Sequence, residues 1–204
     1  MKSSLSCVGF VWAMLSFFAM GLSCVGFYMP LWLEGSMHNS TPSSLNTFRR
    51  CNYLRMGKEG RIEVVMECGR YTAFSDIPSQ WWQIATVTVG VGCCLLIPVA
   101  FGALFSCCVQ TVVSKLSCRL GGGFQCFAAL CIAAGCLLFP FGWDNPEILQ
   151  ICGNKADTFK LGRCEISWAY YCTMAGGATA FVCFLLSLCS VRQRGGYQRT
   201  STSA

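Results

Sequence analysis

Four stretches of this 204-residue chain contain no charged residue, and each is long enough to cross a bilayer once. Between Lys2 and Glu34 lie 31 such residues, between Asp76 and Lys115 lie 38, between Arg119 and Asp144 lie 24, and between Glu165 and Arg192 lie 26. About 20 apolar residues in a helix span a hydrocarbon core of ~30 Å, so none of the four crosses twice. The expected helices are residues 8–29, 84–109, 124–141 and 169–190. A cleaved leader is the rival reading of the first. Such leaders have apolar cores of only about 7–15 residues, and cleavage would put the remaining chain ends on opposite sides. Composition agrees: 54% of residues are hydrophobic and 12% charged, about half the charge of an ordinary soluble domain.

Charge also predicts the orientation. If the N-terminus, the short link at Lys115 and Arg119 and the tail share one side, that side holds Lys2, Lys115, Arg119, Arg192, Arg194 and Arg199 and no acid. The other side holds two loops, about 30–83 and 142–168, with all nine acids and nine bases. Short Lys- and Arg-rich segments stay cytoplasmic, which places both termini, including the tail from 191 to 204, in the cytosol. The net charge of +6 is then a topology and anionic-lipid signal, and no nucleic-acid partner is expected.

That orientation sorts the 17 cysteines. Cys51 and Cys68 fall in the first outer loop, Cys152 and Cys164 in the second; the other thirteen are in helices or on the reducing side. Even numbers per loop in an oxidising compartment argue for disulfides. Of the three pairings open to four cysteines, the expected one joins Cys51 to Cys68 and Cys152 to Cys164. Cys107, Cys108 and Cys118 flank the inner face and are candidates for palmitoylation, against the plainer reading as reduced packing residues. Asn39-Ser40-Thr41 is an N-glycosylation sequon on the outer side.

In the first loop, Arg61 to Cys68 alternates apolar and charged residues well enough for a half-exposed strand. Thr47 to Tyr53 reads as its neighbour, with Gly57 and Gly60 in the connection. Trp32, Trp81, Trp82, Trp143 and Trp168 fall at outer helix ends and are expected as interfacial anchors. No charged side chain lies inside a span, which argues against a charge-lined pathway. His38 is the only histidine, and Gly121-Gly122-Gly123 enters a helix without a phosphate-binding lysine. No catalytic set, metal centre or cofactor site can be assembled; the expected class is non-enzymatic.

The layout excludes tetraspanins, whose loop proportions are reversed, and connexins, which carry three cysteines per outer loop. Claudin-like proteins fit the layout, although the claudin Gly-Leu-Trp-x-x-Cys sequence is not present. Five blocks run in order through the chain: Phe48-Arg49-Arg50-Cys51, Glu67-Cys68-Gly69-Arg70-Tyr71, Ile77-Pro78-Ser79, Gly142-Trp143-Asp144 and Leu161-Gly162-Arg163-Cys164-Glu165-Ile166-Ser167-Trp168-Ala169-Tyr170-Tyr171-Cys172. Together they resemble the lipoma HMGIC fusion partner-like tetraspan family, within the claudin-like superfamily. The resemblance implies one domain: an all-α membrane protein, a left-handed four-helix transmembrane bundle under a small extracellular antiparallel β-sheet. It also implies a non-catalytic role, since some relatives are auxiliary subunits of a larger membrane complex, such as a mechanotransduction channel or inhibitory receptors. The expected partners are the lipid bilayer and another integral membrane protein of the plasma membrane. Claudin-like adhesion or barrier formation is the alternative, and a pore-former the second.

Overall fold

The computed structural model describes residues 7–37, 41–56, 62–108 and 115–201. Four long helices, α1 (Cys7–Tyr28), α2 (Gln80–Cys108), α3 (Lys115–Leu138) and α5 (Trp168–Ser201), carry apolar segments long enough to span a membrane. Large side chains such as Phe10, Phe18, Phe105, Leu130 and Leu137 point outward from the bundle, as they must where the solvent is lipid. α3 starts nine residues earlier than hydropathy alone predicts, because Lys115 and Arg119 occupy its first turns. α2 runs through Pro98 without a break.

Helix packing depends on glycine. A Cβ on Gly26 of α1 would lie 2.5 Å from Thr173 Oγ1 and 2.6 Å from the Ala169 carbonyl of α5. One on Gly92 of α2 would lie 2.7 Å from Ile132 and 2.9 Å from the Ala128 carbonyl of α3. Such close backbone approach is the usual way helices associate in lipid. Deeper in the bundle Gln125, fully buried, accepts from Trp12 Nε1 at 3.1 Å and donates to Ser16 Oγ at 2.7 Å. Trp12 Nε1 also reaches the Cys183 carbonyl, so one polar knot ties α1, α3 and α5.

Above one end of the bundle sits a five-stranded antiparallel sheet in the order β4-β3-β2-β1-β5. The strands are β1 (Leu33–Ser36), β2 (Pro42–Leu45), β3 (Arg49–Met56), β4 (Ile62–Arg70) and β5 (Glu165–Ile166). β3 and β4 are the two strands legible in the sequence; β1 and β2 come from the first half of the same loop. β5 comes from the other loop and pairs Leu33 with Ile166. Both loops thus build one sheet. A short helix, α4 (Pro146–Cys152), packs beneath β1.

Three of the five tryptophans expected as interfacial anchors are core residues instead: Trp32 and Trp82 are fully buried and Trp143 nearly so. They surround Phe139, with ring centroids 5.1, 5.4 and 5.8 Å away, and Tyr170 closes the cluster. Burial is possible for Trp32 and Trp82 because each indole N–H donates to a carbonyl, Gly26 and Phe139 respectively. Trp81 and Trp168 remain exposed, Trp81 with its ring 5.4 Å from that of Phe141, as aromatics suited to the headgroup region do.

Candidate functional site

The cap is attached to the end of α1 by side chains of Trp32, Asn46 and Arg49. A helix leaves its last four carbonyls without intrahelical donors, and in α1 all four find one. Val25 accepts from Met29 N, Gly26 from Trp32 Nε1, Phe27 from Asn46 Nδ2 and Tyr28 from Arg49 Nη1. Asn46 has no exposed surface and makes two further kinds of contact. Its amide also donates to the Met29 carbonyl, and its Oδ1 accepts from the backbone N–H of Phe48 and Arg49 at 2.9 and 2.7 Å. The same side chain therefore forms the Asx turn between β2 and β3 and closes the membrane helix below it.

A second brace joins the two loops. Asn145 caps α4 by accepting from Ile148 N, and Pro146 occupies the first helical position, where its missing N–H costs nothing. This places Glu147 in the first turn, on the favourable end of the helix dipole, facing the first loop. One carboxylate oxygen pairs with Arg50 Nη1 and the other accepts from the Tyr71 hydroxyl. The Arg50 guanidinium lies between two rings, 4.1 Å from the Tyr53 centroid and 4.7 Å from that of Tyr71. Arg50 and Glu147 are only about a quarter exposed, so the pair is less screened than a surface ion pair. Beside it runs a groove of about 140 Å³ lined by Met37, Tyr53, Leu54, Gln150 and Ile151. That is below the ~300 Å³ at which small-molecule sites begin, so it accommodates a side chain and not a metabolite.

Burial, reinforced by the adjoining Glu147 carboxylate, pushes the Tyr71 hydroxyl well above the ordinary tyrosine range. A folded-state pKa above the unfolded value of about 10 leaves stability unaffected below pH 10. Stability then falls as pH rises beyond it, since the unfolded chain releases that proton first. Alkaline absorbance titration should find Tyr71 outside the early-ionising set. Tyr71→Phe should leave that set unchanged and flatten part of the decline above pH 10; loss of an early-titrating phenol in the variant would contradict this placement.

Cys51 and Cys68 stand opposite one another on β3 and β4 and are bridged; Cys152, ending α4, is bridged to Cys164 just before β5. Asn39 lies outside the described residues. Cys107 and Cys108 end α2, and Cys118 is in the first turn of α3; their side chains also lie outside the described residues. Sequence reading singled out neither Asn46 nor Glu147. The Asn145-Pro146 cap is the one local signal that could have found the latter.

A family model described as lipoma HMGIC fusion partner-like protein matches residues 8–192, nearly the whole chain. The chain belongs to the lipoma HMGIC fusion partner-like family. Among relatives, the LHFPL tetraspan subfamily member 3 protein of Xenopus laevis is 30% identical over 183 residues, covering 88% of this chain and 79% of that protein. Mouse member 4 is 31% identical over 182 residues, covering 88% and 70%. Human member 2 is 27% identical over 198 residues, covering 89% and 86%. Membership of this lipoma HMGIC fusion partner-like family makes the chain a four-pass membrane protein, consistent with its four spanning helices. All five sequence blocks lie within the matched region, and four of them carry cap structure: Arg49, Arg50, Tyr71, Trp143, the Cys51–Cys68 bridge and Cys164 of the second bridge.

Proposed function

We propose that this protein is a non-enzymatic accessory subunit that assembles or stabilises another integral membrane protein, with the cap outside the cell and both termini in the cytosol. One observation carries the reading. β4 is the edge of the sheet, and among the described residues it pairs only with β3. On this open edge Val64 and Met66 are 45% and 67% exposed, between the exposed carboxylates of Glu63 and Glu67. An unpaired strand with apolar side chains is a template for another strand, and flanking acids favour a partner segment with basic ends. Two braces and two disulfides hold the edge in place, which lowers the ordering cost of binding. Because the cap sits directly on a membrane bundle, the occupant it suits best is the ectodomain of a neighbouring membrane protein. The absence of acids from one side of the chain supports the orientation, and the four spans and their cap are read as a single domain.

Cross-linking at the cap followed by purification in mild detergent tests this. A distinct membrane protein should be captured by the wild type, lost with Met66→Asp and retained with Ser75→Asp, an exposed control elsewhere in the cap. Solitary particles, or capture indifferent to Met66→Asp, would overturn the edge-strand reading. Junctional strands on expression alone would favour adhesion, and conductance from the purified protein in liposomes would favour a pore.

A further inference from the structure

Arg49 and Arg70 are directly opposite one another on β3 and β4, which puts both side chains on the same face with Cβ atoms about 5 Å apart. Like charges in that position repel. Neither makes an ion pair among the described residues, where the one such pair is that of Arg50 with Glu147. Arg49 is nonetheless held firmly. Its Nη1 donates to the Tyr28 carbonyl at 3.1 Å and its guanidinium lies 4.4 Å from the Tyr28 ring centroid. Its Nε is buried without a hydrogen-bond partner. Arg70 is exposed.

The height of this pair decides what it meets. Tyr28 is the last residue of α1 and of the first apolar span, and is 60% exposed. The two guanidinium groups therefore sit where the hydrocarbon gives way to headgroups, at the depth of lipid phosphates. Two non-bridging phosphate oxygens match the guanidinium fork. Below them Tyr28, Val25, Phe18 and Met14 follow one another at helical spacing and are all exposed. Gly21 interrupts the row, and a Cβ built there meets nothing within 4 Å. The result is an apolar track with a notch, leading from the arginines into the membrane.

We propose that Arg49 and Arg70 hold the phosphodiester of a phospholipid in the cap-side leaflet, with an acyl chain lying over Gly21 between Val25 and Phe18. The site is independent of the accessory role and of which side of the membrane the cap faces.

The test is native mass spectrometry of the full-length protein in detergent, titrated with phosphatidylcholine or with a phosphate-free galactosyl diacylglycerol. The wild type should retain phosphatidylcholine and not the galactolipid. Arg70→Gln removes one charged donor and should retain about tenfold less phospholipid, with unchanged thermal unfolding when lipid is absent. Arg70→Lys should recover part of the loss. Gly21→Leu fills the notch, leaves both arginines in place and should also lower retention. Equal retention by wild type and Arg70→Gln, or equal retention of the galactolipid, overturns the proposal. So does protection against heat by inorganic phosphate equal to that by phospholipid, which would mean a free-anion site. Loss of a co-purifying protein without loss of lipid in Arg70→Gln would overturn it in favour of a protein contact.

Discussion

Asn46→Ala is expected to lower the stability of the cap by about 3 kcal/mol, more than any other polar truncation in it. The substitution removes four hydrogen bonds at a residue with no exposed surface. A typical bond contributes about 1 kcal/mol net, and each buried group left without a partner costs about 1–3 kcal/mol. Here the orphaned groups are the Phe27 and Met29 carbonyls and two backbone N–H groups of the turn. For a chain of this length 3 kcal/mol corresponds to a fall of about 10 °C in Tm, measurable in detergent by fluorescence of the buried tryptophans. Asn46→Asp is the sharper variant. It keeps the acceptor that organises the turn but has no N–H for the helix carbonyls, so it should be at least as damaging. If Asn46→Asp matched the wild type, the turn alone would matter, and the closure of α1 would contribute nothing.

The residues that define this cap differ in how far sequence exposes them. The four spans are legible because their signal is a long absence, and every missing charge adds to it. β3 and β4 are legible because eight or nine residues suffice to display alternation. β1, β2 and β5 have four, four and two residues, and Pro42, Ser43, Ser44 and Gly35 argue locally against strand. They are strands because each finds a neighbour, and β1 finds one in the other loop, which no local pattern encodes. The tryptophans fail for a related reason. An indole beside a membrane helix suits the interface or the core, and a carbonyl within reach of its N–H favours the core, although Trp143 is buried with no hydrogen-bond partner on its N–H. Gly26 O and Phe139 O supply one for Trp32 and Trp82; that is a tertiary fact. Asn46 reads as an ordinary turn residue, and its turn role is the local half of what it does. The two loops also meet through Glu147, which takes its position from a seven-residue helix. The candidate interaction surface is thus a joint product of both loops, although the acids and arginines that compose it are visible one by one.

That joint construction makes the second-loop bridge as consequential as the first. Replacing Cys152 and Cys164 together by serine should cost about 3 kcal/mol, the chain-entropy value for a loop of this length, and Cys51 with Cys68 about the same. The consequences should differ in place. Cys152 ends the helix that carries Glu147, and Arg163 N donates to the Cys152 carbonyl at 2.9 Å. Freeing that end should loosen Glu147, and with it the hold on Arg50 and Tyr71 across the sheet. The Cys152→Ser/Cys164→Ser variant should therefore shift Tyr71 ionisation toward that of an exposed phenol. The Cys51→Ser/Cys68→Ser variant should instead expose the β3–β4 hairpin to proteolysis while leaving α4 intact. Peptide mapping without reduction separates the three pairings open to these cysteines. Within-loop peptides are expected in the wild type, and each double variant should keep the other bridge unchanged. A single Cys51→Ser should impair surface delivery more than the double variant, because the exposed Cys68 is then free to pair wrongly with another thiol. Recovery of a peptide joining Cys51 to Cys152 or Cys164 would refute the pairing.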